Sequence, residues 1–120
     1  MMKISPNELF PTQSISSIQE NRILFFMECL KNNVEISPIN VIKFEDEYYI
    51  IAGHHLMLAM NRLAINEIDV EVITPKEGTF WGMRENIIET LKAIGQTTLY
   101  DYEAIGAFAY KRYPSWYKKD

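Results

Sequence analysis

Apolar positions along this chain switch between a helical and an extended period, and the switches divide it into elements. Ile23, Leu24, Met27 and Leu30 recur at helical spacing behind Ser17-Ile18-Gln19-Glu20, which has the form of a capping box. A helix from Ser17 to about Asn32 is the expectation. Ahead of it, Lys3-Ile4-Ser5 predicts a short strand, Pro6-Asn7 a turn, and Pro11-Thr12-Gln13-Ser14 a polar loop. Pro38 opens a strand from Ile39 to Phe44, a second strand runs from Tyr48 to Ile51, and Glu45-Asp46-Glu47 turns the chain between them. This pattern predicts a β-hairpin. The second strand has no polar alternation, so both of its faces should be covered.

Leu56, Leu58, Ala59, Met60 and Leu63 then form the apolar side of a short helix that begins near His54 or His55. Ile68, Val70 and Val72 alternate with Asp69 and Glu71, as in a half-buried strand. From residue 79 onward the pattern is helical. Arg84 to Ile94 carries Ile87, Ile88, Leu91 and Ile94 on one side and meets Gly95, a C-cap signal. Thr98-Leu99-Tyr100-Asp101 resembles a second capping box that leads a helix to about Arg112, with Pro114 as a stop. The order is that of an α+β fold: a small mixed β-sheet packed with helices, then a helical C-terminal third covering about 79–112. Residues 113–120 form an aromatic and basic tail.

At 120 residues and 48% hydrophobic content, the chain can bury one core, so residues 1–120 read as a single domain. No run reaches the roughly 18 apolar residues of a membrane span, and Pro6 and Asn7 interrupt the N-terminus before any signal-peptide core forms. A cytoplasmic protein with no membrane partner is expected. The single cysteine, Cys29, falls in a helical pattern as a small core residue and cannot form an internal disulfide.

A formal charge of −4 argues against a surface that grips nucleic acid as a whole. The distribution is uneven, however: Lys111, Arg112, Lys118 and Lys119 gather among Tyr110, Tyr113, Trp116 and Tyr117. Such a segment can stack bases and bind phosphates, or its rings can pack back on the body.

The densest chemistry lies at Ile51-Ala52-Gly53-His54-His55-Leu56, where an apolar strand meets a glycine and both histidines of the chain before a helix starts. A strand-to-helix turn leaves the first amides of the helix unpaired beside the positive end of its dipole. Phosphate is the first ligand to consider there. If both histidines are helical their side chains point about 100° apart, so one can serve a ligand as donor or acid/base while the other packs. Both could instead simply cap and pack the turn. Zinc is not indicated, because no Cys/His ligand spacing exists.

Taken in order, several segments are similar to the ParB/sulfiredoxin superfamily, in particular the N-terminal nucleotide-binding domain of ParB-type partition proteins. They are Ile4-Ser5-Pro6-Asn7-Glu8-Leu9-Phe10-Pro11-Thr12-Gln13, Ser37-Pro38-Ile39-Asn40-Val41, Gly53-His54-His55, Ile68-Asp69-Val70-Glu71-Val72, Arg84-Glu85-Asn86-Ile87 and Leu99-Tyr100-Asp101-Tyr102-Glu103-Ala104. The resemblance implies a ParB/sulfiredoxin-like fold and a nucleotide triphosphate or other phosphate-bearing ligand at the Gly53 turn. Thr12 and Gln13 would line the same cleft, His54 and His55 would be the catalytic pair, and Glu85 and Asn86 would hold Mg2+. An enzyme of this kind would transfer a phosphoryl group or cleave a phosphodiester, as a nucleotide hydrolase, kinase or nuclease.

This chain departs from the family at the same turn. Partition proteins carry Gly-Glu-Arg-Arg there, sulfiredoxins Gly-Cys-His-Arg, and the free-serine kinase relatives Gly-His-His-Arg. His54 therefore stands in place of the sulfiredoxin cysteine, which excludes sulfinic acid repair, and Leu56 replaces an arginine in every case. Glu89 stands where the second motif would carry a further arginine. The alternative function is a non-catalytic interaction, immunity or regulatory module that keeps the fold, with its C-terminal aromatics as a protein, nucleic-acid or homodimer surface. A DNA-associated role on a plasmid, phage or other mobile element would suit such a module.

Overall fold

In the computed structural model, which describes residues 1–13 and 15–97, five strands form one mixed sheet in the order β1-β5-β3-β4-β2. The strands are β1 (Met2–Ile4), β2 (Leu9–Phe10), β3 (Ile39–Phe44), β4 (Glu47–Ala52) and β5 (Ile68–Val72). Three helices, α1 (Glu20–Lys31), α2 (His54–Arg62) and α3 (Arg84–Thr97), complete the described fold. β1 runs antiparallel to β5 and β3 antiparallel to β4, while β5 is parallel to β3 and β2 parallel to β4. The α+β expectation holds. The second C-terminal helix and the 113–120 tail lie outside the described residues.

The hairpin forms as its sequence predicts, with Phe44 opposite Glu47 and a two-residue loop. Glu45 and Asp46 both take positive φ, 49° and 65°, which is what a type I′ connection demands of its two central residues. β4 is covered on both faces. Ile50 lies in a large core with Leu9, Ile23, Ile39, Val41 and the α2 residues, whereas Tyr49 lies in a smaller one with Phe10, Ile42, Ile87 and Leu91. The first core is roofed by α1 and α2 and the second by α3. Strand alternation thus feeds two cores from one sheet.

Three expectations are corrected by tertiary context. Ser17 does not cap α1: it belongs to a 3-10 turn (Ile15–Ser17), and the cap position falls to Gln19, which forms no side-chain cap bond. The buried stripe of α1 is Ile23 with partly buried Phe26, Met27 and Leu30, and Leu24 is half exposed instead. Gly95 does not end α3, which continues to Thr97; a glycine inside a helix costs only about 1 kcal/mol. β2 was not foreseen, because two residues are too few for alternation to register; its parallel pairing, Leu9 with Tyr48 and Phe10 with Tyr49, fixes the chain entering the site.

Candidate functional site

The parallel pair β2/β4 ends where both chains leave the sheet, at Thr12 and at Gly53, and crevices outside the carboxyl ends of parallel strands are common ligand sites. Gly53 takes φ 109°, a region that side-chain-bearing residues avoid. A Cβ there would also come within 3.0 Å of Ile39 Cγ1. Gly53 therefore lets β4 turn into α2 against β3. The first intrahelical bond runs from Met57 N–H to the Gly53 carbonyl at 2.9 Å. The amides of His54, His55 and Leu56 precede it and make no hydrogen bond among the described residues, as is normal for a helix start.

Both histidines are 5% exposed and each spends one ring nitrogen on the chain that crosses in front of the turn. His54 Nε2 accepts the Thr12 backbone N–H at 2.9 Å, and the Thr12 hydroxyl donates to the Ile50 carbonyl. His55 Nε2 accepts the Gln19 N–H at 3.1 Å. Together the two rings pin both ends of the segment joining β2 to α1. A backbone amide can only donate, so each Nε2 must keep its lone pair and each ring is neutral with its proton on Nδ1. Protonating Nε2 would set N–H against N–H. Burial, followed by the neighbouring His55, pushes the His54 pKa down to about 3; His55 is lowered by burial and then by the charge of Arg22. Neither ring takes up a proton near neutral pH. Each Nδ1–H has no protein acceptor among the described residues.

Thr12 is thus tied into the turn by two bonds, and Gln13 follows it, donating from its side-chain amide to the Ser17 carbonyl at 3.3 Å. Leu56 is 3% exposed in the main core and presents no polar group. Glu85 and Asn86 are elsewhere. They open α3 beside Arg84, whose guanidinium pairs with Glu45 in the hairpin loop at 2.8 Å. The six residues of β4 separate that loop from Gly53, about 20 Å at strand spacing. Asn86 Nδ2 contacts Met83 Sδ at 3.6 Å, and among the described residues no group of three His, Cys, Asp or Glu is arranged to hold a metal ion. Both residues adjoin Ile87, which packs with Phe10 and Tyr49 under the chain that leads to Thr12.

Two neighbours of the turn escaped the sequence reading. Gln19 enters through its backbone, which no side-chain pattern reveals. Arg22 left a signal, since it lies in the first turn of α1, where the helix dipole disfavours a cation.

The chain belongs to the ParB N-terminal domain family, whose model matches residues 1–87. No curated protein matches it. Among solved structures it is similar to sulfiredoxin from Arabidopsis thaliana, with 18% identity and a TM-score of 0.56 over 75% of this chain and 94% of that one. It is also similar to a free serine kinase in complex with AMP, with 16% identity and a TM-score of 0.53. That likeness covers 78% of this chain and 43% of the kinase, so the chain spans less than half of the kinase's length. Both neighbours share the fold. No described helix is long and apolar enough to cross a membrane.

Proposed function

We propose that this domain binds a nucleotide or related phosphate-bearing ligand at the Gly53 turn. The observation that carries the reading is the unpaired set of His54, His55 and Leu56 amides at a glycine-led helix start, outside the ends of β2 and β4. The imidazoles of the same His54 and His55 are buried and neutral, and their Nδ1–H groups make no hydrogen bond among the described residues. Family membership and the AMP in the kinase neighbour's structure point the same way. The role assigned to His54 and His55 is to donate and to hold the loop, not to act as a general base through Nε2, so the reading is one of binding by positioned donors.

A second reading, a protein-interaction module, draws on Leu24 and Phe25, which are 50% and 62% exposed on the outer side of α1. Thermal shift and calorimetry with AMP, CMP, ATP and CTP separate the two. A ligand at a hundred times its Kd should stabilise the fold by about 2.7 kcal/mol, a rise of several degrees in Tm. If no nucleotide and no inorganic phosphate moves the Tm, the phosphate reading fails and the interaction reading takes its place.

A further inference from the structure

Among the described residues, those of the Gly53 turn itself offer an anion only neutral donors. Its own residue at the third place of α2, Leu56, is in the core, and both imidazoles are held uncharged by the amides they accept. A phosphate taken out of water needs a countercharge, since hydrogen bonds to ions gain most when the partner is ionised. The described cations can be sorted by what already holds them. Lys3 pairs with Asp69 at 2.9 Å, Arg84 with Glu45, and Arg62 with Glu20 at 2.7 Å. Lys43 stands over the Tyr48 ring near the hairpin, Lys31 pairs with Glu28 at the far end of α1, and Lys76 and Lys92, which make no ion pair among the described residues, lie beyond β5 and on α3.

Arg22 is different. It lies one turn from Gln19, whose N–H is bonded to His55, and its own N–H closes that turn on the Gln19 carbonyl at 3.1 Å. Its side chain is exposed and makes no ion pair among the described residues. The acid of the same turn, Glu20, is already taken by Arg62 across the α1–α2 contact. A free cation in the first turn of a helix works against the dipole and is retained at a cost to stability. Its charge is also felt by His55.

We propose that Arg22, supplied from α1, is the phosphate-binding cation of the Gly53 turn, and that the site consequently takes a single phosphate group, as in a nucleoside monophosphate, in preference to a triphosphate. The inference rests on the phosphate reading above. One guanidinium among neutral N–H donors offsets about half of the charge of a single phosphate group, which is about −1.5 to −2 at neutral pH. A triphosphate chain carries roughly twice that or more at neutral pH, on a protein whose formal net charge is already −4.

The test is calorimetric titration of the 120-residue protein with AMP, inorganic phosphate and ATP, the last with and without Mg2+, on the wild type, Arg22→Ala and Arg22→Lys. Because Arg22 is exposed and opposes the helix dipole, Arg22→Lys should melt as the wild type does and Arg22→Ala at the same temperature or slightly higher. The expected result is AMP binding tighter than ATP in both conditions, weakened tenfold or more in Arg22→Ala and less in Arg22→Lys, which keeps the charge but not the fork. If the wild type binds AMP and Arg22→Ala binds it equally, Arg22 is not the cation and the phosphate reading survives alone. Tighter binding of ATP than of AMP overturns the single-phosphate preference. If the wild type binds none of the probes, both the phosphate reading and this inference fall.

Discussion

At the scale of single residues, the site is organised by where lone pairs must stay. His54 Nε2 accepts an amide proton in the folded state and cannot also be protonated, whereas in the unfolded chain the ring titrates near 6.5. Its folded pKa lies below its unfolded one, so the unfolded state binds more protons once the pH drops below about 6.5, and stability falls with the pH down to about 3. The loss attributable to His54 is about 1.4 kcal/mol per pH unit, or about 2 kcal/mol by pH 5. His54→Gln replaces the acceptor nitrogen by an amide oxygen that does not titrate. Chemical denaturation of the two proteins from pH 8 to pH 4 should show their difference shrinking or reversing as the pH falls. Parallel profiles would mean that His54 keeps its proton balance on folding and that its bond to Thr12 is not the one described.

At the scale of elements, much was legible and the failures share one cause. Helix and strand periods located α1, α2, α3, β3, β4 and β5, since Ile23 with Met27 and Leu30, or Ile68 with Val70, report burial on one side of a regular element. What could not be read depended on partners distant in sequence. The capping box at Ser17 is locally sound, but α1 begins three residues later because His55, 36 positions away, takes the Gln19 amide. The same limit hid Arg22, whose nearness to the turn depends on the bond between the Gln19 amide and His55. Where a turn is local its residues can be judged directly. Asp46, at φ 65° in the two-residue loop, strains any residue with a Cβ, and a β-branched one most. Asp46→Gly should therefore raise stability by about 0.5 kcal/mol and Asp46→Val lower it by about 1–2 kcal/mol, with Glu45 left free to hold Arg84. Urea midpoints would check this ordering, and a Val variant as stable as the Gly one would show that the loop is not held in the left-handed region.

At the scale of the whole molecule, one sheet separates two unequal cores, and the candidate site belongs to the larger. α2 buries six successive residues, His54 through Ala59, so its first turns are covered on all sides. Among the described residues, α3 contributes Ile87 and Leu91 to the smaller core, against Phe10, Ile42 and Tyr49. Two such side chains contribute about 3–6 kcal/mol on burial, and the ordering of a helix consumes a large part of that. α3 should consequently open in a sub-global step below the unfolding free energy of the rest. The loop held by His54 and His55 is anchored instead to the start of α2 and should respond to a ligand at the Gly53 turn. Hydrogen exchange with and without AMP tests both halves of this picture at once. The amides of Thr12, Gln19 to Arg22 and His54 to Met57 should exchange more slowly with AMP bound, while those of α3 exchange early and at an unchanged rate. Protection spreading into Glu85 and Asn86 on ligand addition would bring the start of α3 into the site and support the metal-binding role that the family resemblance implies for it.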